Sequence, residues 1–337
     1  MRFGPVPLAE AEGAILAHRV DTATGPLPKG ARLDAAAVAR LAAEGLAEVI
    51  VARPDPGEIG EDAAAARLAS ALLSGALLSG AEGLRAGAAA TGRVNLHATG
   101  PGLLRADVAR IHALNAVHPM ITLATLPDLA RAEPRSMVAT VKIIAYAVPE
   151  AALDLACTHA AGALRLLPPV LHHAALIETV LPGAEPPSPK GREALALRLR
   201  RLGVTLAPRR IVPHRTAPLA AALAETEADV VFILTASATS DPADVAPAAL
   251  LDAGGRLERY GMPVDPGNLL FIGDLNARPV IGLPGCARSP ALNGADWVLE
   301  RVICGLPVGA AEIAGMGVGG LLKEIAARGR LREAPPE

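Results

Sequence analysis

Aromatic side chains are scarce in this chain: one Trp, two Tyr and three Phe among 337 residues, 2% of the whole. That scarcity excludes the stacking platforms on which single-stranded nucleic acids are held. A net charge of -2 removes nucleic acid as the default partner. The two brief basic clusters, Arg198-Leu199-Arg200-Arg201 and Arg209-Arg210, read as a solvated helix face and a loop. Long apolar runs are missing as well. Hydrophobic residues reach 51%, yet none of their runs approaches the roughly 20 residues needed to cross a bilayer. The opening residues Met1 to Pro7 have neither the apolar region nor the cleavage site of a signal peptide, so the expectation is a soluble, cytoplasmic protein with no membrane partner. Cys157, Cys286 and Cys304 are odd in number and widely spaced, which supports neither a disulfide framework nor a zinc site. A core so poor in aromatics must be packed by Ala, Leu, Val and Ile.

The length suits two domains. Residues 1–165 read as a mixed α+β domain in which short strands and Gly/Pro turns alternate with helices. Asp34 caps a helix from Ala35 to Glu44, Gly45 ends it, and a strand runs from Ala47 to Ala52. A second helix spans Glu61 to Leu78, and Met137 to Val148 reads as a strand pair or one long strand. From Leu166 the pattern becomes regular: strand His173–Leu181, helix Pro189–Leu202, strand Val204–Val212, helix Ala217–Glu225 and strand Asp229–Leu234. Strands alternating with helices imply βαβ units, and the expected fold of residues 166–337 is a three-layer α/β sandwich with a mostly parallel sheet. Near the end, Asn268–Ile272 and Arg278–Leu283 flank a turn and suggest a hairpin.

Sheets of this kind bind ligands at the carboxyl ends of their strands. Two loops stand there. Gly282-Leu283-Pro284-Gly285-Cys286-Ala287-Arg288-Ser289-Pro290 turns a buried strand into an amphipathic segment ending at Cys304, and Ser289 with Pro290 signals a helix start. Backbone N–H groups at such a place favour phosphate or another anion. Thr235-Ala236-Ser237-Ala238-Thr239-Ser240-Asp241-Pro242-Ala243-Asp244 follows the most hydrophobic strand and offers four hydroxyls and two carboxylates. Ser240, Asp241 and Pro242 would equally serve as a plain helix entry.

Together the loops resemble the molybdopterin-binding domain shared by proteins that adenylate molybdopterin and those that insert molybdenum. That family reads T-G-G-x-S-x-G-D-x-D in the first loop, matched here by the length, Thr235, a hydroxyl at Thr239 and Asp244. It reads G-L-P-G-N-P-x-S in the second, matched by Gly282, Leu283, Pro284, Gly285 and Ser289. Leu27-Pro28-Lys29-Gly30-Ala31-Arg32-Leu33, with the helix and strand after it, is similar to a segment of the molybdenum-inserting, molybdopterin molybdenumtransferase-like members. Thr179 stands where the family has T-G-D-E. The resemblance implies that Thr179, Thr235, Ala236, Ser237, Thr239, Ser240, Gly282, Pro284, Gly285, Cys286, Arg288 and Ser289 bind molybdopterin. It implies that Asp241 and Asp244 do the catalytic work, that Asp244 positions Mg²⁺, and that molybdate is the second substrate.

The chain also departs from that pattern. Ala236 and Ser237 replace paired glycines. Asp265 and Asn268, in the turn Gly261–Asn268, stand where the family presents lysines for molybdate, so an oxyanion there loses its point charges. Arg288 either compensates or is a surface residue beside a helix start. Cys286, in place of Asn, is either a small turn residue or a thiol meeting a phosphate, a dithiolene or a soft metal. The glycines of Gly315-Met316-Gly317-Val318-Gly319-Gly320, before a helix read at Leu321–Ala327, resemble a dinucleotide fingerprint but are expected to be a tail clasp or a helix-entry turn, because too little chain follows for a dinucleotide site. His172 and His173, being adjacent, point apart in a strand and make no metal pair.

The expected function is binding of molybdopterin or a nucleotide-linked form in molybdenum cofactor biosynthesis, with molybdate insertion if the protein is a transferase. The other reading is a non-catalytic carrier that delivers the pterin to another cofactor-biosynthesis protein, such as a nucleotidyltransferase, or to a molybdoenzyme. The resemblance further implies a homodimer.

Overall fold

In a computed structural model the structure describes residues 1–78 and 83–322. The chain divides into two compact units, residues 1–100 with 104–167, and residues 101–103 with 168 onward.

The first unit carries strands β1 (Arg2–Pro7), β2 (Ile15–Leu16), β3 (Glu48–Arg53), β4 (Glu58–Gly60), β5 (Leu84–Ala86), β6 (Arg93–Ala98), β7 (Gly102–Ala106, whose first residues fall to the second unit), β8 (Ile121–Thr125), β9 (Ala130–Ala132), β10 (Met137–Ile143), β11 (Ala147–Pro149) and β12 (Leu164–Leu167). Its helices are α1 (Ala35–Ala43), α2 (Glu61–Leu78), α3 (Val108–Val117) and α4 (Glu150–Ala160). Asp34 accepts the Ala37 N–H at 2.7 Å and starts α1. Ala, Leu, Val and Ile fill the core around α2, α3, α4 and the sheet β5-β6-β10-β8.

The second unit carries β13 (His173–Val180), β14 (Thr205–Leu206), β15 (Arg210–Pro213), β16 (Val230–Leu234), β17 (Arg256–Tyr260), β18 (Phe271–Leu275) and β19 (Arg278–Gly282). Its helices are α5 (Lys190–Arg200), α6 (Thr216–Glu225), α7 (Val245–Asp252), α8 (Gly294–Ile303) and α9 (Ala310–Ala314). β13 lies parallel to β14, β15 and β16, and β16 lies parallel to β19. β19 then pairs antiparallel with β18, and β18 with β17.

The expectation of a mostly parallel sheet is overturned. Antiparallel pairings predominate over the chain, from β1-β3-β2 and β5-β6-β10-β8 to β11-β4 and the β17-β18-β19 end of the seven-stranded sheet. At the β18-β19 end of the seven-stranded sheet the physical reason is connection length, since a short link returns a strand beside its predecessor in the opposite sense. Asn276 and Ala277, both at positive φ (56° and 63°), make the two-residue link between β18 and β19.

All five residues of β16 are buried, so its apolar run has cover on both faces. Val231 and Ile233 pack with Leu219 and Leu223 of α6 and Leu250 of α7. On the other face Leu234 meets Gly191 of α5, where a Cβ would come within 2.6 Å of the leucine side chain. Among the described residues no helix is long and apolar enough to cross a membrane. The helix read at Leu321–Ala327 lies outside the described residues from 323 on.

Candidate functional site

Because β16 and β19 are adjacent and parallel, the loops that follow them leave the sheet side by side. Leu283 N–H donates to Ile233 O at 2.8 Å, extending the ladder to the start of both loops. On its β18 side Gly282 has no room for a side chain: a Cβ there would lie 1.9 Å from the Phe271 ring. Arg288 then ties one loop to the other, its Nη2 donating to the Thr235 carbonyl at 2.6 Å. Arg288 is thus a half-buried strut between the loops.

The loop after β19 differs from the expected helix start. Gly285–Arg288 form one 3-10 turn, in which Pro284 O accepts the Ala287 N–H, and α8 begins only at Gly294. The cap is Asn293, not Ser289. Asn293 Oδ1 accepts from Ala295 N, and Asp296 Oδ2 accepts from Asn293 N at 2.8 Å, the reciprocal pattern of a capping box. A carboxylate of the chain itself therefore sits at the start of α8. Ser289 instead accepts the Ala291 N–H with its Oγ. Cys286 is exposed, and Asn293 Nδ2 lies 3.1 Å from its Sγ. Gly267, in the turn that carries Asp265 and Asn268, abuts Gly294 so closely that a Cβ would come within 3.0 Å of its backbone.

Arg198 underlies this loop. It is 5% exposed, its Nε donates to Asp296 Oδ1 at 2.6 Å, and its guanidinium also donates to the carbonyls of Ala287, Ser289 and Ala291. The solvated helix face expected here is corrected: the basic run is split, Arg198 facing inward and Arg200 outward. Arg209 likewise pairs with Glu178, a carboxylate 1% exposed, at 2.6 Å. That bond holds the Arg209 guanidinium above its ordinary pKa.

In the loop after β16, Thr235 and Thr239 are buried while Ala236, Ser237 and Ser240 are exposed. Thr235 Oγ1 donates to Ser237 O at 2.6 Å, which fixes the backbone at Ser237. Asp244 caps α7, accepting Val245 N at 2.7 Å and Ser240 N at 3.1 Å, and Asp241 accepts Ala243 N at 2.7 Å. Both carboxylates are thus engaged in shaping the helix entry. Burial, and after it the charges of Asp241 and Asp244, push the Tyr260 phenol above its usual pKa; its hydroxyl donates to Thr239 O. Among the described residues no group of three or more His, Cys, Asp or Glu side chains comes together to hold a metal ion.

Thr179, at the end of β13, joins the same cluster and brings a residue that the sequence reading missed. Its Oγ1 accepts the Ala236 N–H at 2.8 Å and lies 2.9 Å from His214 Nδ1, while His214 Nε2 lies 2.9 Å from Ser237 Oγ. His214 follows β15, which is parallel to β13, so the ends of three neighbouring strands meet here. Its one sequence signal is a polar ring between a strand and a helix start. A groove of about 690 Å³ in this unit lies elsewhere, among Arg256, Glu258, Asp274, Pro279 and Leu306, and includes none of these residues.

No family model and no curated protein matches the chain. Solved structures similar to it include a molybdopterin biosynthesis MoeA protein from Pyrococcus horikosii, at 15% identity and a TM-score of 0.30, over 90% of this chain and 75% of that one. Another is a molybdenum cofactor biosynthesis protein from Pyrococcus furiosus, at 13% identity and a TM-score of 0.24, over 93% of this chain and 65% of that one.

Proposed function

We propose that the second unit binds molybdopterin, or a nucleotide-linked form of it, across the two loops, as a step in molybdenum cofactor biosynthesis. The observation that carries this reading is the tie from Arg288 to Thr235 O, which joins the two loops bearing the molybdopterin-family motif residues. Exposed Ser237, Ser240 and Ser289 offer hydroxyl donors to a phosphate, and exposed Gly285 leaves room for it to approach the backbone. The dithiolene end of the pterin would face Cys286.

A specific observation favours retention and delivery over molybdate insertion. Asp241 and Asp244 already accept backbone N–H groups of their own turn, and the turn bearing Asp265 and Asn268 offers no cation to molybdate. Incubation of the purified protein with molybdopterin, and separately with adenylated molybdopterin plus molybdate, tests both points. Retention of the pterin without AMP release is the expected result. AMP release would establish insertion instead, and retention of neither ligand would end the pterin reading.

A further inference from the structure

Thr179 is 1% exposed, so its hydroxyl proton must find an acceptor inside the protein. Its oxygen already accepts from Ala236 N at 2.8 Å, and its other polar neighbour is His214 Nδ1 at 2.9 Å. Were Nδ1 protonated, the imidazole would donate to Thr179 and the buried hydroxyl proton would be left without a partner. A buried unsatisfied donor costs about 1–3 kcal/mol. The Thr179 hydroxyl therefore donates to Nδ1, and the ring proton sits on Nε2, from which it donates to Ser237 Oγ at 2.9 Å. With its oxygen accepting from the ring, exposed Ser237 has its own proton free for solvent or a ligand.

We propose that Thr179, His214 and Ser237 form a one-way chain of donors that makes the Ser237 hydroxyl the contact for an anionic phosphate oxygen. The proton order runs from Ala236 N–H to the Thr179 hydroxyl, to the His214 ring, to the Ser237 hydroxyl, and out to the ligand. Each link polarises the next, strengthening the last donor without a net charge. Thr235 holds the Ser237 backbone through the 2.6 Å bond to its carbonyl, so the terminal donor has a fixed base. The same order argues against a nucleophilic serine, because Nε2 carries a proton and cannot take one from Ser237. Thr179 and His214 are positioning residues. The inference deepens the reading of the two loops as the site of a phosphate-bearing ligand, and rests on it for the ligand class.

The test is long-range ¹H–¹⁵N correlation of the histidine rings of the full chain at pH 8, with His214 assigned by its absence in His214→Gln. The expected result is a protonated Nε2 and a bare Nδ1. The opposite tautomer would overturn the proposal and leave Ser237 hydrogen-bonded to a base. Thr179→Val should convert the single tautomer into a mixture, and Thr179→Ser should restore it. Inorganic phosphate should shift the His214 Nε2 signal saturably in the parent protein. Ser237→Ala should weaken that binding about tenfold or more, the scale of a hydrogen bond to a charged group. Unchanged phosphate affinity in Ser237→Ala, or no shift in the parent, would overturn the assignment. Failure of the wider reading is distinguishable: a phosphate shift at His214 without retention of molybdopterin would end the pterin identity and leave the donor chain standing.

Discussion

Arg198 Nε lies 2.6 Å from Asp296 Oδ1, with the two side chains 5% and 6% exposed, and this pair joins α5 to the first turn of α8. The pair is satisfied on every side: Arg198 reaches three backbone carbonyls, and Asp296 also accepts the Asn293 N–H. An isolated buried charge would be costly, so the network survives only whole. It gives the loop Gly285–Ala291 its shape.

Arg198→Met should therefore destabilise the second unit by about 3–5 kcal/mol, the cost of breaking one partner from a buried pair. Arg200→Met, two residues on and exposed, should stay within about 0.5 kcal/mol of the parent. Urea denaturation of both variants measures the difference, and equal midpoints would contradict the inward role of Arg198.

Gly282→Ala places a Cβ 1.9 Å from Phe271, at the junction of β19 with its loop. Overpacking of this kind costs about 1–3 kcal/mol. Adding Phe271→Leu should recover part of that loss, so the double variant should be more stable than the sum of the single effects predicts. Thermal melts of the parent, the two single variants and the double variant decide it.

Asp244→Ala removes the cap of α7 and should cost about 1 kcal/mol. Asp244→Asn keeps the oxygen that accepts Val245 N–H but loses the acceptor for Ser240 N–H, so it should recover part of that stability and retain pterin binding. Loss of binding in the Asn variant, at that stability, would show that the charge itself matters.

Thiol modification at pH 8 should label Cys286 first, because it is exposed while Cys304 is buried. Burial, with the Glu300 charge adding to it, pushes the Cys304 thiol from its ordinary 9.0 up to about 12, and burial raises Cys157 as well. The folded protein thus keeps the Cys304 proton at a pH where the unfolded chain has released it. Stability should fall as pH rises from about 9 towards 12, and Cys304→Ala should flatten that decline in denaturation curves recorded at stepped pH.

Sequence patterning located the elements well where the signal is local. Asp34 before an apolar helix and the 18 residues of α2 lie where composition puts them, and the buried run of β16 reads as a strand from its Val, Ile and Phe content. Direction and pairing were less legible, because a strand's neighbours are chosen across long separations. The hairpin turn at Asn276 and Ala277 adds antiparallel strands to a sheet that the alternation of strands and helices marked as parallel. The start of α8 was misplaced for a similar reason. Ser289 and Pro290 form a good local cap signal, but the Ser289 carbonyl is taken by Arg198, and the reciprocal bonds of Asn293 and Asp296 set the boundary later.

The sequence by itself determined which side chains this protein has to work with: two small-residue loops after apolar strands, a core of aliphatic residues, and few aromatics to stack a base. The tertiary structure alone decided which of them meet. Arg198 and Asp296 are 98 residues apart, Thr179 and Ala236 are 57, and His214 and Ser237 are 23. The physical reason is that hydrogen bonds act over a few ångströms in space, whatever the distance along the chain. Only the parallel alignment of β13, β15 and β16 brings the hydroxyls and the imidazole within that reach.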